Sequence, residues 1–293
     1  MKPYSYTISK PSEIGGVISA FRSLGASGCS LLISIFTAYT KKEGLQEMVD
    51  ALSLSFPEAE ISGMTSSVCI EQGVNRTEKI IILFEVFEKT YIHTICFDHA
   101  PGKEDAVGWA VMGEINKISR PLCGIEILAS QSDDRFSDFS PFLNVLTREL
   151  PTTLPVWGAL ADSQTWPDHT YVFSKNYISS AGLAIRVYTG EISIMLNHVL
   201  GFRPLSRPLT VTAMDGPMII KELDHKPAVY YYDKYIHTPD FQEQSLPFPL
   251  LQLADGYVHA HLPQGRTLDG GILFNIRCAV GTEMRLSYGD PEL

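Results

Sequence analysis

Residues 201–236 read GFRPLSRPLTVTAMDGPMIIKELDHKPAVYYYDKYI, and this run decides how the chain is organised. Residues 208–213 alternate and are rich in β-branched side chains, the pattern of a strand. Asp215-Gly216 is a turn pair and residues 218–223 return as a second strand, so the segment is a β-hairpin. Asp224 is the expected N-cap of the helix that follows, with Pro227 accommodated in its first turn because the missing N–H would be unpaired there. Tyr230, Tyr231 and Tyr232 begin that helix and cannot all face inward.

Toward the N-terminus, one order of elements occurs twice. Residues 31–36 form a buried-looking strand. The helix after it carries Leu45, Met48, Val49, Leu52 and Phe56 at helical spacing. Residues 56–63 then lead through a short strand to Gly63, and residues 80–87 and 91–97 are expected as paired strands. In the second passage residues 124–128 are the strand, and Ser140-Pro141 caps a helix bearing Phe142, Leu143, Leu146 and Leu150. Residues 150–158 end in Trp157-Gly158, and strands 170–173 and 181–188 follow. Strand, helix, glycine turn and hairpin thus repeat, which predicts an internal duplication. A helix over 104–118 joins the two units. Beyond the 201–236 run, strands are expected at 257–261, 271–278 and 283–288, with a polar loop over 238–249. The expected fold class is α/β: two related α/β units with mixed, largely antiparallel sheets, plus a smaller C-terminal α+β subdomain.

The 293 residues are 45% hydrophobic and 19% charged, an ordinary globular composition with room for a large core. A formal net charge of -10 argues against a nucleic-acid partner and against electrostatic docking on an anionic membrane. Five cysteines at irregular spacings (29, 69, 96, 123 and 278) read as reduced thiols in a cytoplasmic protein. The first ten residues contain no apolar signal core, and no run approaches the ~20 apolar residues of a membrane span.

No phosphate-binding loop, dinucleotide fingerprint, HExxH, CxxC or GxSxG elbow is present. Cys29 and Ser66 are nucleophile types to which the sequence ties no base, so no catalysis is expected. A hydrolase using Ser66 or Cys29 is the alternative from another class. His93 and Cys96 in HxxCxxH point to opposite faces of a strand, which weakens that triplet as a metal set. His259 and His261 would share a strand face, with no third ligand nearby. His198 lies in an apolar run, where a neutral imidazole suits either a hydrogen-bonded core position or haem ligation. The two glycine turns are the expected floors of a small-ligand site, through Gly63, Thr65 and Ser66 in one unit and Trp157 and Gly158 in the other. Arg203 is placed either to pair a ligand carboxylate or to bridge an acidic side chain.

The pattern VTAMDGPMIIKELDHKPAVYYYDKY, together with the closing residues 281–292, resembles the junction and the end of FIST domains. That resemblance implies boundaries at 1–28 for a lead-in, 29–220 for an N-terminal domain and 221–293 for a C-terminal domain, and the repeated order of elements divides the N-terminal domain into units 29–120 and 121–215. It implies a sensory module of bacterial signal transduction that binds a small molecule, an amino acid or similar metabolite. The signal would pass to a separate or fused output such as a histidine kinase or cyclic-di-GMP enzyme. Some members are nitric-oxide sensors, so a haem b held by His198 is the alternative under the same resemblance. An adaptor whose groove holds a protein partner is a third reading.

Overall fold

In the computed structural model, which describes residues 1–99, 102–130, 139–162, 170–197, 200–236, 248–254 and 257–290, the chain divides into two compact units, Met1–Leu196 and Asn197–Leu293. The first unit is written in two passes. The first pass is β1 (Lys2–Ile8), α1 (Ile14–Ser23), β2 (Ser30–Thr37), α2 (Lys42–Ser55), β3 (Glu60–Thr65), the hairpin β4 (Val68–Glu71) and β5 (Val74–Thr77), and β6 (Ile80–Phe87). The second is β7 (Thr90–Asp98), α3 (Glu104–Ile115), β8 (Leu122–Ala129), α4 (Ser140–Glu149), β9 (Val156–Leu160), the hairpin β10 (Val172–Ser174) and β11 (Tyr177–Ser179), and β12 (Gly182–Gly190).

Each pass forms its own sheet, in the order β1-β6-β2-β3 and β7-β12-β8-β9. In both, the third and fourth strands run parallel and the other pairs antiparallel. The registers coincide as well: Ile35 lies beside Gly63 in the first sheet, and Ile127 beside Gly158 in the second. The duplication is therefore present, but its phase differs from the expected one. Residues 1–28 are not a lead-in; they supply β1 and α1, the counterparts of β7 and α3. Strands β6 and β7 do not pair with each other, because β6 closes the first sheet and β7 opens the second. Nor does β10 pair with β12. It crosses to the first sheet and pairs antiparallel with β3, carrying β11 with it.

Side-chain alternation explains the layering. In β2, Ile33 and Ile35 face α1 and α2 and join Val17, Phe21, Leu45 and Leu52 in one core. In the second sheet Ile125 and Ile127 do the same with Met112, Phe142 and Leu146. The opposite faces meet each other. Met64 packs with Leu128 and Ala184, and Leu32 and Phe87 pack with Ile92 and Tyr188. The unit is thus a stack of helices, sheet, sheet and helices. Each large aliphatic side chain buried this way contributes about 1.5–3 kcal/mol.

The second unit holds β13 (Phe202–Pro204), β14 (Leu209–Asp215), β15 (Ile219–Leu223), β16 (Lys226–Pro227), α5 (Ala228–Tyr235), β17 (Leu250–Ala254), β18 (Tyr257–His261), β19 (Pro263–Arg266), β20 (Ile272–Phe274) and β21 (Glu283–Gly289). They form one sheet in the order β18-β17-β21-β14-β15-β20-β19, with β13 added on β21 and β16 on β15. The hairpin read from residues 208–223 is β14–β15. Asp224, however, does not cap a helix. Asp224 and His225 both take positive φ, 47° and 61°, and make the two-residue turn from β15 to β16. The Asp224 carboxylate accepts from the Thr210 N–H and from Arg207, and Pro227 takes the cap position of α5. Tyr231 and Tyr232 are buried on the α5 core face, and Tyr230 is exposed. Among the described residues no helix is long and apolar enough to cross a membrane. The loop expected at 238–249 lies largely outside the described residues.

Candidate functional site

The two sheets differ most at their last strands. On the first sheet, β3 is covered. Its Thr65 N–H donates to the Tyr171 carbonyl at 2.9 Å, and the Tyr171 N–H donates back to the Thr65 hydroxyl at 2.9 Å. Phe173, fully buried, lies beside Gly63 in the register. A Cβ on Gly63 would stand 2.1 Å from the Ile35 carbonyl oxygen and 2.7 Å from the Phe173 ring, so only glycine admits this approach.

On the second sheet the same position is open among the described residues. A Cβ on Gly158 would stand 2.0 Å from the Ile127 carbonyl oxygen, the same contact as at Gly63, but its three nearest neighbours are all atoms of Ile127, where Gly63 also meets the Phe173 ring. Instead a cavity of about 420 Å³ lies between β9 and α4, walled by Ile127, Phe139, Phe142, Leu143 and Leu160 and floored by Gly158. Leu143 and Leu160 are 42% and 49% exposed at its rim. Clefts of this size with apolar walls are the usual form of a small-ligand pocket. Trp157 borders the cavity too, yet strand alternation sends its indole to the inter-sheet face, where it tilts against Tyr188 at 5.5 Å.

Between the sheets lies a polar cluster that sequence reading missed. Arg186 on β12 is almost wholly buried. It donates to the Ser62 hydroxyl at 2.7 Å, the Ser62 carbonyl at 2.8 Å and Glu126 at 2.8 Å. Tyr188 donates to the same Glu126 carboxylate at 3.1 Å, and Ser34 donates to Glu85 at 3.2 Å. Burial pushes the Glu85 carboxyl above the ordinary carboxylate range, with Arg186 only partly offsetting it. The signal was available, since Arg186 interrupts the otherwise apolar run 183–188, but a lone arginine in a strand names no partner.

The remaining expected residues do not converge on one site. Gly63 and Thr65 are buried beneath β10, and the Ser66 hydroxyl donates to the Val68 carbonyl within its own turn. Arg203 sits on β13 in the second unit and pairs with Asp290. His198 lies outside the described residues. The Cys29 thiol meets the Thr90 carbonyl at 3.4 Å. Cys96 points between the sheets toward Ser174, whereas His93 lines a polar surface cleft with Glu114 and Arg120. His259 is exposed, while His261 is buried against Gln252, and that burial lowers its pKa to about 4. Among the described residues no three histidine, cysteine or carboxylate groups gather as a metal site.

A model of the FIST N domain matches residues 32–226, from β2 of the first unit to the start of β16 in the second. No curated protein matches the chain.

Proposed function

We propose, from a chain that belongs to the FIST family of sensory domains in signal transduction, that the first unit captures a small ligand in the groove over Gly158. The observation that carries this reading is the open apolar cavity at a position whose counterpart in the first sheet is filled by Phe173. The walls call for a ligand with an apolar or aromatic body, and an aromatic or branched-chain amino acid or similar metabolite has that character. The protein acts without catalysis in this reading. It passes the bound state to a separate or fused output, such as a histidine kinase or a cyclic-di-GMP enzyme. Such an output responds only if the ligand binds one conformation of the groove more tightly than another.

Calorimetric titration of the purified chain with a panel of amino acids and small aromatics tests it. Binding of at least one compound is expected, and it should disappear in Leu143→Glu, which sets a charge in the apolar wall while the circular dichroism spectrum stays unchanged. Equal affinity in the variant would place the ligand elsewhere. The haem alternative rests on His198, and none of the described residues lining this groove is a histidine. A Soret band in freshly purified protein that is lost in His198→Ala would revive it.

A further inference from the structure

The internal repeat says more than that the groove is open; it shows what shape of occupant fits. In the first sheet the equivalent groove is filled by one strand, β10, whose backbone pairs antiparallel with β3 and whose aromatic side chain packs on the glycine. The scaffold beneath is the same in both sheets, with isoleucine beside glycine and a parallel strand pair.

The backbone of β9 is prepared for the same pairing. Ala161 donates its N–H to the Ala129 carbonyl on β8. Because alternate residues of a strand point their N–H and C=O groups to opposite sides, Ala159 and Trp157 also face β8. Val156, Gly158 and Leu160 therefore turn their backbone groups outward, as Ile61, Gly63 and Thr65 do in β3. Among the described residues nothing pairs with that edge of β9. Natural sheets blunt a free edge with charge, proline or a bulge. The sequence VWGAL of β9 contains no charge and no proline, and its register to β8 is unbroken.

The chain also explains why its own first-pass hairpin does not fill the position. Only Ser66 and Ser67 link β3 to β4, so β4–β5 stays beside its own sheet, where Glu71 accepts from Ser5 and Thr7 at 2.6 Å. In the second pass eleven positions separate the end of β9 from the start of β10, against two between β3 and β4.

We infer that the groove over Gly158 takes an extended peptide segment, added antiparallel to the outer edge of β9, with an aromatic side chain seated over Gly158. This deepens the ligand-binding reading above and rests on it. Main-chain hydrogen bonds to Val156, Gly158 and Leu160 supply affinity, and the apolar wall of α4 selects the aromatic residue, the division of labour of strand addition generally.

The probe is a labelled, end-blocked peptide with the protein's own residues 170–176, TYVFSKN, titrated into the full chain by fluorescence anisotropy. Saturable binding is expected. Replacing the peptide's phenylalanine by alanine should weaken it about tenfold or more, as for an aromatic anchor in a pocket. Methylating the amide nitrogen of that phenylalanine should weaken it comparably by removing a main-chain donor. On the protein side, Leu143→Glu and Leu160→Lys should each abolish binding, since both alter only the groove over Gly158. Unchanged binding in those variants would mean that the peptide displaces β10 from β3, and the inference fails. N-acetylphenylalaninamide separates the two readings. If it binds and the peptide does not, the groove is a small-ligand site and strand addition is wrong. If neither binds, strand addition with an aromatic anchor is wrong, and the small-ligand reading stands or falls on the panel titration. Binding that emerges only after residues 163–169 are replaced by a glycine-serine linker would make the occupant internal and also overturn the inference.

Discussion

The first and second sheets of this protein are built on one plan and finished differently. Strand β3 ends the first plan covered, with Phe173 sealed over Gly63; β9 ends the second exposed, with a cavity over Gly158. The difference teaches that the repeat donated an element rather than losing one. The second pass gave its hairpin to the first sheet, and the cost fell on its own edge. A structural position and a binding position can therefore share the same glycine geometry, and the neighbour decides which one is which.

Truncating Phe173 is the strongest way to break this comparison. Phe173→Ala should open in the first sheet the groove that already exists in the second. The loss should be about 3–5 kcal/mol by urea unfolding, the range for a buried phenylalanine. Leu143→Ala on the rim of the open groove should cost under ~1 kcal/mol. Similar costs for the two would mean that the groove over Gly158 is not open in solution.

The inter-sheet cluster comes next, because Arg186 joins the two sheets through Ser62. Glu126→Ala strands the buried Arg186 guanidinium without its carboxylate and should destabilise by about 3 kcal/mol. Arg186→Met, which removes the charge with it, should cost less. If the two variants are equal, the penalty lies in lost packing and not in the unpaired charge.

The glycines sharpen the comparison at one residue. Gly63→Ala and Gly158→Ala share the clash with a neighbouring carbonyl oxygen, and Gly63 also meets the Phe173 ring at 2.7 Å, whereas the nearest atoms at Gly158 are all of Ile127. Both should destabilise by about 1–3 kcal/mol, with Gly63 the worse. The reverse order would contradict the open groove.

The smallest expected effect is a pH dependence. Burial raises the Glu85 pKa in the folded state above its unfolded value, so the folded protein holds that proton more tightly. Stability from this group is present below the ordinary glutamate range of about 4.3 and is lost as pH rises through the folded value. Glu85→Gln should flatten that decline and raise stability at neutral pH, measured by denaturation between acid and neutral pH. A variant less stable at neutral pH would show that Glu85 is held as a favourable partner of Arg186.

Much of the local structure was legible in the chain. Period-2 and period-3.6 patterns named β2, α2, β8, α4 and the β14–β15 hairpin, because burial on one face leaves a regular trace in the order of side chains. Gly63 and Gly158 were recognised as equivalent from their place after a strand and a helix, although they were expected in turns and lie within β3 and β9, where the missing Cβ admits a neighbouring strand's carbonyl. What the pattern could not name was pairing. Residues 80–87 and 91–97 look like a hairpin because they are adjacent, and proximity in sequence says nothing about which sheet a strand completes. Asp224 looked like a helix cap because a side chain that accepts a backbone hydrogen bond does so equally well in a tight turn.

The sequence by itself determined many of the central strands and helices, the doubling of the plan, the family, and the equivalence of Gly63 and Gly158. Only the tertiary structure decided the phase of the repeat, the crossing of β10, the meeting of Arg186 with Glu126, and which of two equivalent glycines lies under a ring and which under an open cavity. The physical reason is that periodicity records which face of a strand is buried. Edge pairing is made by backbone groups common to every residue, so it is written in linker length and in the competition between edges, not in side-chain order.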